Sequence, residues 1–290
     1  MKKLAVAVAV LGFSAPVWAA DLPVKAPPTP VAAVPSWTGF YVGANVGGGW
    51  GDHSIDYSPN DPNTATLFNP PATPPGGGKP PSASITSSGA LGGVQLGYNW
   101  QFTRNWVTGF ETDFDWSGLK GSGSSSGTVV GAFPGLGLNP FTASVNESVK
   151  WFGTARARLG YLPTDNLLIY GTGGFAYGRV DRSGSYVNTS GSAFGILAVN
   201  GFSFFCATGA TCFAGSSSSV AAGWTAGGGL EYALSRNLSL KGEYLYVSLD
   251  SKSLTEAAQA VITAGDKPSS FNANGRTSFN VARIGLNYRF

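Results

Sequence analysis

Charged residues recur at every second position in several short segments of this chain. Glu111, Asp113 and Asp115 follow this spacing, and so do Arg156 and Arg158. Side chains two residues apart share one face of a β-strand, so each group would point to the same side of a sheet. Other charged residues in segments with this alternation are Glu231, Lys241, Glu243, Arg283 and Arg289. Because acidic and basic residues balance in this set, the pattern predicts an ion-pair network on one face of a sheet.

Few residues are suited to catalysis or to metal binding. His53 is the only histidine, which excludes a multi-histidine zinc site. It lies near Asp52 and could approach a serine such as Ser54 or Ser117, so a rim-located lipid-modifying enzyme is one alternative. A single loop histidine among many serines is usually solvated. We therefore expect no enzyme, no metal site and no cofactor.

The N-terminal segment predicts export from the cytoplasm. Lys2 and Lys3 precede an apolar run, Leu4 to Phe13, and small residues before Ala20 suit a signal peptidase. We expect residues 1–20 to be a signal peptide cleaved after Ala19 or Ala20. Residues 21–36 carry five prolines and predict an extended periplasmic tether, because proline lacks the amide donor that a sheet requires.

The only two cysteines, Cys206 and Cys212, lie six positions apart. An exported chain passes through an oxidising compartment, where two cysteines favour a disulfide over free thiols. The spacing therefore predicts a small disulfide-closed ring.

The elements that would hold the charged residues are strands with one apolar face. In the C-terminal segment, Leu286, Tyr288 and Phe290 alternate with Asn287 and Arg289. Because the chain stops on an apolar aromatic, we interpret this strand as facing lipid with its apolar side and a barrel interior with its polar side. Similar alternation begins at Trp37 and recurs in the ranges 93–102, 106–116, 151–161, 167–177, 224–232 and 238–246.

Composition supports this interpretation. Charged residues make up 11% of the chain, against roughly 25% in an ordinary soluble domain. The net charge is only +3, so nucleic acid is not an expected partner. The longest apolar run is too short for a membrane-spanning helix, and insertion into a membrane would require a closed barrel.

Connection lengths predict the topology. Short turns follow Phe102, Leu162 and Leu234, whereas the connections near 51–88, 119–146, 180–219 and 250–274 are long. Short and long connections alternate strictly, as in outer-membrane barrels. We predict that residues 37–290 form an all-β, eight-stranded antiparallel transmembrane up-and-down barrel with short periplasmic turns and long extracellular loops. Aromatic residues near strand ends, Trp37 among them, would form interfacial girdles.

The charged face would then line the lumen. An eight-stranded barrel is just wide enough for side chains to fill it. We expect a structural outer-membrane protein whose lumen is closed by the ion-pair network and whose loops face outside. A narrow porin for small solutes is the alternative.

Several motifs carry a resemblance to a known family: the start ending in Ala-Asp-Leu-Pro, the segment Ser36–Gly47, the segment Tyr170–Tyr177 and the ending Arg283–Phe290. The chain resembles the outer-membrane immunogenic, OmpA-like porin family of alphaproteobacteria. The resemblance implies the outer membrane of a Gram-negative cell as its location. It also implies that Arg283, Gly285, Tyr288 and Phe290 form the C-terminal signal read by the barrel-assembly machinery. Outer-membrane lipid and lipopolysaccharide are the other expected partners, and the sequence names no ligand for the loops.

Overall fold

The computed structural model describes residues 36–62, 64–65, 81–130, 138–191, 194–199, 202–250, 252–259 and 270–290. The predicted signal peptide, and the predicted tether except Ser36, lie outside these residues. Within the described part of the chain, none of the helices is both long and apolar enough to cross a membrane.

The described residues form twelve strands, all of whose pairings are antiparallel. In chain order they are β1 (Gly39–Pro59), β2 (Ala83–Gln101), β3 (Trp106–Val130), β4 (Leu138–Thr164), β5 (Leu167–Asn188), β6 (Phe194–Val199), β7 (Phe202–Cys206), β8 (Thr211–Ala233), β9 (Leu238–Asp250), β10 (Leu254–Ala258), β11 (Ser270–Asn274) and β12 (Thr277–Arg289).

Eight of these strands close into a ring. The neighbours run β1, β2, β3, β4, β5, β8, β9 and β12, and β12 pairs again with β1. In that closing pair Val42 lies opposite Tyr288, and Ala44 lies opposite Leu286. The turns after β2, β4 and β8 are short. The predicted eight-stranded antiparallel barrel, with its first and last strands paired, is confirmed.

The outer wall carries a continuous apolar belt, because alternate side chains of each strand point away from the lumen. Phe40 is 62% exposed, and many other large apolar side chains of the belt are about half exposed. We define the membrane band as the residues 40–50, 90–102, 106–116, 151–161, 167–177, 220–234, 238–246 and 280–290. This arrangement is inverted relative to a soluble protein and suits a lipid environment.

Trp37 was predicted in the periplasmic aromatic girdle, and this prediction is wrong. Its side chain is 0% exposed and its indole Nε1 donates a hydrogen bond to the Asp165 carbonyl at 3.0 Å. The chain turns inward before β1 begins, so the indole covers the periplasmic mouth of the lumen rather than facing lipid.

The strands run much further outward than the sequence pattern predicted. β3 and β4 have 25 and 27 residues, whereas about 9–11 residues cross a bilayer. Their pairing continues as far as Val130 opposite Leu138. Much of the predicted loops 119–146 and 180–219 is therefore strand. We call this part of the barrel, beyond the membrane band, the extracellular extension.

Two short strands complete the extension beyond the outer ends of β9 and β12. β11 pairs with β1, with Tyr57 opposite Ala273, and β10 pairs with β8, with Ala257 opposite Ala214. β10 and β11 also pair with each other. The extension has its own apolar interior, which includes Ile85, Phe141, Tyr186, Phe213, Leu254 and Phe271.

Candidate functional site

The lumen within the membrane band holds a dense cluster of charged side chains. Arg156 is 0% exposed, and its Nη2 lies 2.8 Å from Asp113 Oδ2 and 2.5 Å from Glu111 Oε1. Its Nη1 lies 3.1 Å from Glu243 Oε1. Register explains the proximity, because Arg156 is directly opposite Glu111 in the pairing of β4 with β3. A single guanidinium thus joins three carboxylates from two separate parts of the ring.

Arg283 makes a second centre of the same cluster. Its guanidinium lies 2.6 Å from a carboxylate oxygen of Asp113, of Asp115 and of Glu243. Glu243 is its direct cross-strand neighbour in the pairing of β12 with β9. Because Asp113 and Glu243 contact both arginines, the strands on opposite sides of the barrel are linked through shared carboxylates.

Lys241 and Arg158 extend the cluster toward the periplasmic side. Lys241 Nζ lies 2.9 Å from Glu111 Oε1, and Arg158 Nη2 lies 2.8 Å from Glu231 Oε2. Ser239 donates a hydrogen bond to Glu231 at 2.6 Å. We call the whole cluster the charged layer. Its members are Glu111, Asp113, Asp115, Arg156, Arg158, Glu231, Lys241, Glu243 and Arg283.

Arg289 was predicted in this network but lies apart from it. Among the described residues it makes no ion pair within 4.0 Å, although its side chain faces the lumen. It instead donates a hydrogen bond to the Ser36 carbonyl, and its guanidinium lies 4.5 Å from the centre of the Trp37 ring. As the penultimate residue of the chain, Arg289 reaches the periplasmic mouth, beyond the ring of carboxylates.

Two buried tyrosines complete the charged layer, and the selection of charged residues alone missed them. Tyr41 donates to Glu111 Oε2 at 2.6 Å and accepts a hydrogen bond from Arg158 at 2.9 Å. Tyr170 donates to Glu243 Oε1 at 2.9 Å and lies under the Arg158 guanidinium at 4.0 Å. Strand alternation places both on the inward face, and that signal could have found them.

Apolar layers lie on both sides of the charged layer. The inward face of β4 shows the order. From the periplasmic side outward, it presents Leu162, then the two arginines of the charged layer, then Phe152 and Val149. The outer apolar layer also contains Leu119, Leu245, Val247, Leu249, Phe279 and Val281. The periplasmic layer contains Trp37, Val107, Leu162 and Leu168.

A second polar group lies in the extracellular extension, outside the membrane band. His53 Nε2 is 3.2 Å from Glu147 Oε1, and Arg182 Nε is 2.6 Å from Glu147 Oε2. Burial acts to raise the pKa of Glu147, but its contacts with His53 and Arg182 outweigh that effect and hold the pKa below its usual value. The His53 side chain is only 6% exposed, so the expectation of a solvated loop histidine is wrong.

His53 and Ser54, one of the two serines considered for catalysis, do not form a nucleophile–base pair. His53 points into the extension, whereas the adjacent Ser54 is exposed on the opposite face of β1. In the described part of the chain, no group of three or more His, Cys, Asp or Glu side chains is placed to hold a metal ion.

Glu256 is an isolated buried carboxyl in the apolar interior of the extension. Its Oε1 has no hydrogen-bond partner among the described residues, and burial raises its pKa to about 7. Burial, and to a smaller extent the Glu256 carboxylate, raises the pKa of Tyr57.

Cys206 and Cys212 form a disulfide, as the sequence predicted. It joins the end of β7 to β8, and both cysteines are buried. Neighbouring Phe213 packs into the interior of the extension against Phe271, with ring centres 5.0 Å apart.

Comparison with known proteins gives full-length matches. A family model described as an outer membrane protein beta-barrel domain matches residues 5–290. The 31 kDa outer-membrane immunogenic protein of Brucella melitensis biotype 1 is 34% identical over 298 residues, which covers 100% of both chains. The protein of the same description from Brucella suis biovar 1 matches with the same identity and coverage.

Solved structures give weaker similarities. OprG from Pseudomonas aeruginosa is 14% identical with a TM-score of 0.42, and the match covers 87% of this chain and 97% of that one. Ail of Yersinia pestis is 12% identical with a TM-score of 0.32, covering 87% of this chain and 99% of the other.

Proposed function

Because this chain belongs to the outer membrane β-barrel family and resides in the outer membrane, we propose that it is a structural barrel with a closed lumen and surface-exposed strands and loops. The observation that carries this proposal is the burial of Arg156 among Glu111, Asp113 and Glu243. A water-filled path through the lumen would have to pass these side chains, which are held to one another by short ion pairs.

The apolar layers support the same function. Leu119 and Phe152 on one side, and Leu162 and Leu168 on the other, separate the charged layer from both mouths. An ion crossing such apolar layers would lose its hydration without gaining polar partners, at a large cost in free energy. If the protein were a porin, the charged layer and both apolar layers would have to open together.

Single-channel recording of the purified barrel in a planar bilayer tests the proposal. We expect no steady openings from the wild-type protein, because the charged layer fills the lumen. Arg156→Gln and Glu111→Gln probe that layer, and Arg104→Gln in an exposed periplasmic turn is the control. Steady wild-type openings whose conductance changes in Arg156→Gln or Glu111→Gln, but not in Arg104→Gln, would establish the porin instead.

We further propose that the protein has no catalytic activity. The only histidine is engaged with Glu147, and the adjacent serine faces the other way. Replacing His53 with Ala should leave lipid A and phospholipid acylation in the outer membrane unchanged.

For assembly, we propose that Arg283, Gly285, Tyr288 and Phe290 are read by the barrel-assembly machinery. Phe290 is 73% exposed and packs beside Tyr288 with ring centres 5.5 Å apart, so both rings are available on the outer wall. Arg283 is buried in the charged layer once the barrel closes. Its recognition would therefore precede closure of the barrel.

A further inference from the structure

Two patches of opposite charge lie on the outer wall of the extracellular extension. The basic patch consists of three exposed side chains on neighbouring strands: Lys120 on β3, Lys150 on β4 and Arg179 on β5. The Asp181 carboxylate lies 3.3 Å from Arg179 Nε and 4.0 Å from Lys150 Nζ. Because three cations face a single carboxylate, the basic patch keeps a net positive charge.

The acidic patch lies on β1. Asp52 and Asp56 are both exposed on the outward face of this strand. Asp56 accepts a hydrogen bond from Ser82, and in the described part of the chain neither carboxylate forms an ion pair. Near the outer ends of β9 and β12, Asp250 and Arg276 pair with each other at 2.8 Å and add no net charge. The acidic patch therefore keeps a net negative charge.

Both patches begin at the same level of the barrel and face in different directions. Asp52 is two residues beyond Trp50, and Lys150 is adjacent to Trp151. Tryptophans on the outer wall of a barrel mark the level of the lipid headgroups. In the ring of eight strands β1 and β5 are four strands apart, so Asp52 and Arg179 lie on opposite sides of the barrel. Two copies inserted side by side in one membrane would hold their patches at matching heights.

The lipid-facing wall below each patch permits close approach of a neighbouring barrel. On each side, three adjacent strands present a row of directly opposed small residues. The rows are Ala282, Gly48 and Ala90 on β12, β1 and β2, and Ala157, Gly173 and Ala226 on β4, β5 and β8. Short side chains let two walls come closer together than large ones would, which increases the number of van der Waals contacts between them.

We propose that the partner of both patches is a second copy of this chain, and that the barrels associate head to tail in the plane of the membrane. The basic patch of one copy contacts the acidic patch of the next, and the complementary charges select the partner and its orientation. Because the two patches differ, a pair of copies leaves one patch free at each end, and association continues as an open line. This inference goes beyond the proposed function and uses the outer wall, so a conducting lumen would leave it intact.

Disulfide trapping between two cysteine variants in intact outer membranes tests the proposal. Ser54→Cys places a thiol between Asp52 and Asp56, and Ser148→Cys places one directly opposite Lys120. The two native cysteines are bonded to each other and supply no free thiol. When cells express both variants with different tags, we expect disulfide-linked mixed pairs. Either variant expressed alone should give at least about tenfold fewer pairs, because a head-to-tail contact does not bring identical positions together.

Charge reversal shows whether the patches cause the trapping. Asp52→Lys/Asp56→Lys, added to the Ser54→Cys variant, should lower the yield of mixed pairs at least about fivefold, because the two facing patches then repel each other. Lys120→Glu/Lys150→Glu/Arg179→Glu, added to the Ser148→Cys variant, should restore the yield. This second reversal makes the patches complementary again with their signs exchanged.

The matched control for the restoration reverses three exposed cations elsewhere. Arg104→Glu/Arg236→Glu/Lys252→Glu, added to the Ser148→Cys variant, should not restore the mixed pairs. A heat-induced shift in gel mobility verifies that each variant is folded. Absence of mixed pairs from folded protein, a yield that does not respond to the first reversal, or restoration by both triple variants alike would overturn the proposal. Equal trapping within a single variant would also overturn it, because that result requires a symmetric contact.

Discussion

At the scale of single residues, the barrel interior is organised by arginines that each contact several carboxylates. Arg156 and Arg283 share Asp113 and Glu243, so removing either arginine leaves both carboxylates with one fewer buried cationic partner. Breaking a buried ion pair from one side is far more costly than replacing the whole pair, because the remaining charge cannot return to solvent.

We predict that Arg156→Leu lowers the free energy of unfolding by about 3–5 kcal/mol, because Glu111, Asp113 and Glu243 lose a shared partner. Guanidinium unfolding in detergent, followed by tryptophan fluorescence, measures this change. Arg179→Leu, at an exposed ion pair, should cost no more than about 1 kcal/mol. Similar small losses in both variants would mean that the charged layer contributes little to stability.

Glu256 should make the outer end of the barrel sensitive to pH. Burial raises the pKa of Glu256 from its ordinary value of 4.5 to about 7, so the folded state binds the proton more tightly. The contribution of Glu256 to local stability is therefore fully present below about pH 4.5 and is lost as the pH rises through about 7. We predict that amide protection in β10 and β11, corrected for intrinsic exchange rates, decreases at least about tenfold between pH 5 and pH 8.

Glu256→Gln should remove this pH dependence, because the amide does not ionise. Thr255→Ala, on the exposed face of the same strand, should retain it. Protection in wild type that does not change with pH would show that the carboxyl is solvated in the folded protein.

At the scale of the elements, alternation in the sequence predicted the membrane-spanning parts of the strands well. Leu96, Phe110 and Leu240 are exposed on the outer wall, and Glu111 and Arg156 are buried in the lumen, as their positions in the pattern required. The extensions of the same strands were missed. There, serine faces outward, whereas glycine and small apolar residues such as Ala143 and Val145 face inward, so the contrast between the two faces is weak.

The sequence predicted which residues belong to the charged layer better than it predicted which of them contact one another. The sequence places Arg289 and Arg283 on the same face, but only distances across the lumen show that Arg289 misses the carboxylates. These distances depend on the stagger of neighbouring strands, which the pattern of a single strand does not contain.

Glycines set how closely β8 and β9 approach. A Cβ on Gly223 would collide with the backbone carbonyl of Ser248, whereas a Cβ on Gly242 would meet nothing within 4 Å. We predict that Gly223→Ala lowers the free energy of unfolding by about 1–3 kcal/mol through overpacking, whereas Gly242→Ala leaves it within about 1 kcal/mol of wild type. Denaturant midpoints of the two variants in detergent provide the measurement, and equal midpoints would refute the role assigned to Gly223.

At the scale of the whole molecule, ring closure between β1 and β12 removes the free edges that an open sheet would present. The last residue follows this closing strand, and its backbone amide donates to the Phe40 carbonyl at 3.0 Å. Phe290 thus contacts the first strand only when the ring is closed, and in the closed barrel its side chain is exposed on the outer wall.

We predict that deletion of Phe290 impairs insertion in cells more than it lowers the stability of barrel that is already folded. The reason is that one lipid-facing side chain contributes little to a completed ring, whereas the assembly signal would lose its terminal aromatic. Outer-membrane levels compared with the unfolding midpoint of refolded protein measure the two effects. Val46→Ala, another lipid-facing truncation, is the control; comparable losses in both assays would contradict the prediction.

The length of the strands beyond the membrane band has a consequence for immune recognition. In the outer part of β5, Asp181 faces outward while Arg182 and Gly184 are buried, and Ser183 is exposed between them. An antibody approaching the cell would therefore meet only every second side chain of this segment, together with side chains from adjacent strands. Antisera raised against a linear peptide of this region would bind in part to side chains that the folded barrel hides, whereas antisera raised against the folded barrel would lose epitopes that combine neighbouring strands on denaturation.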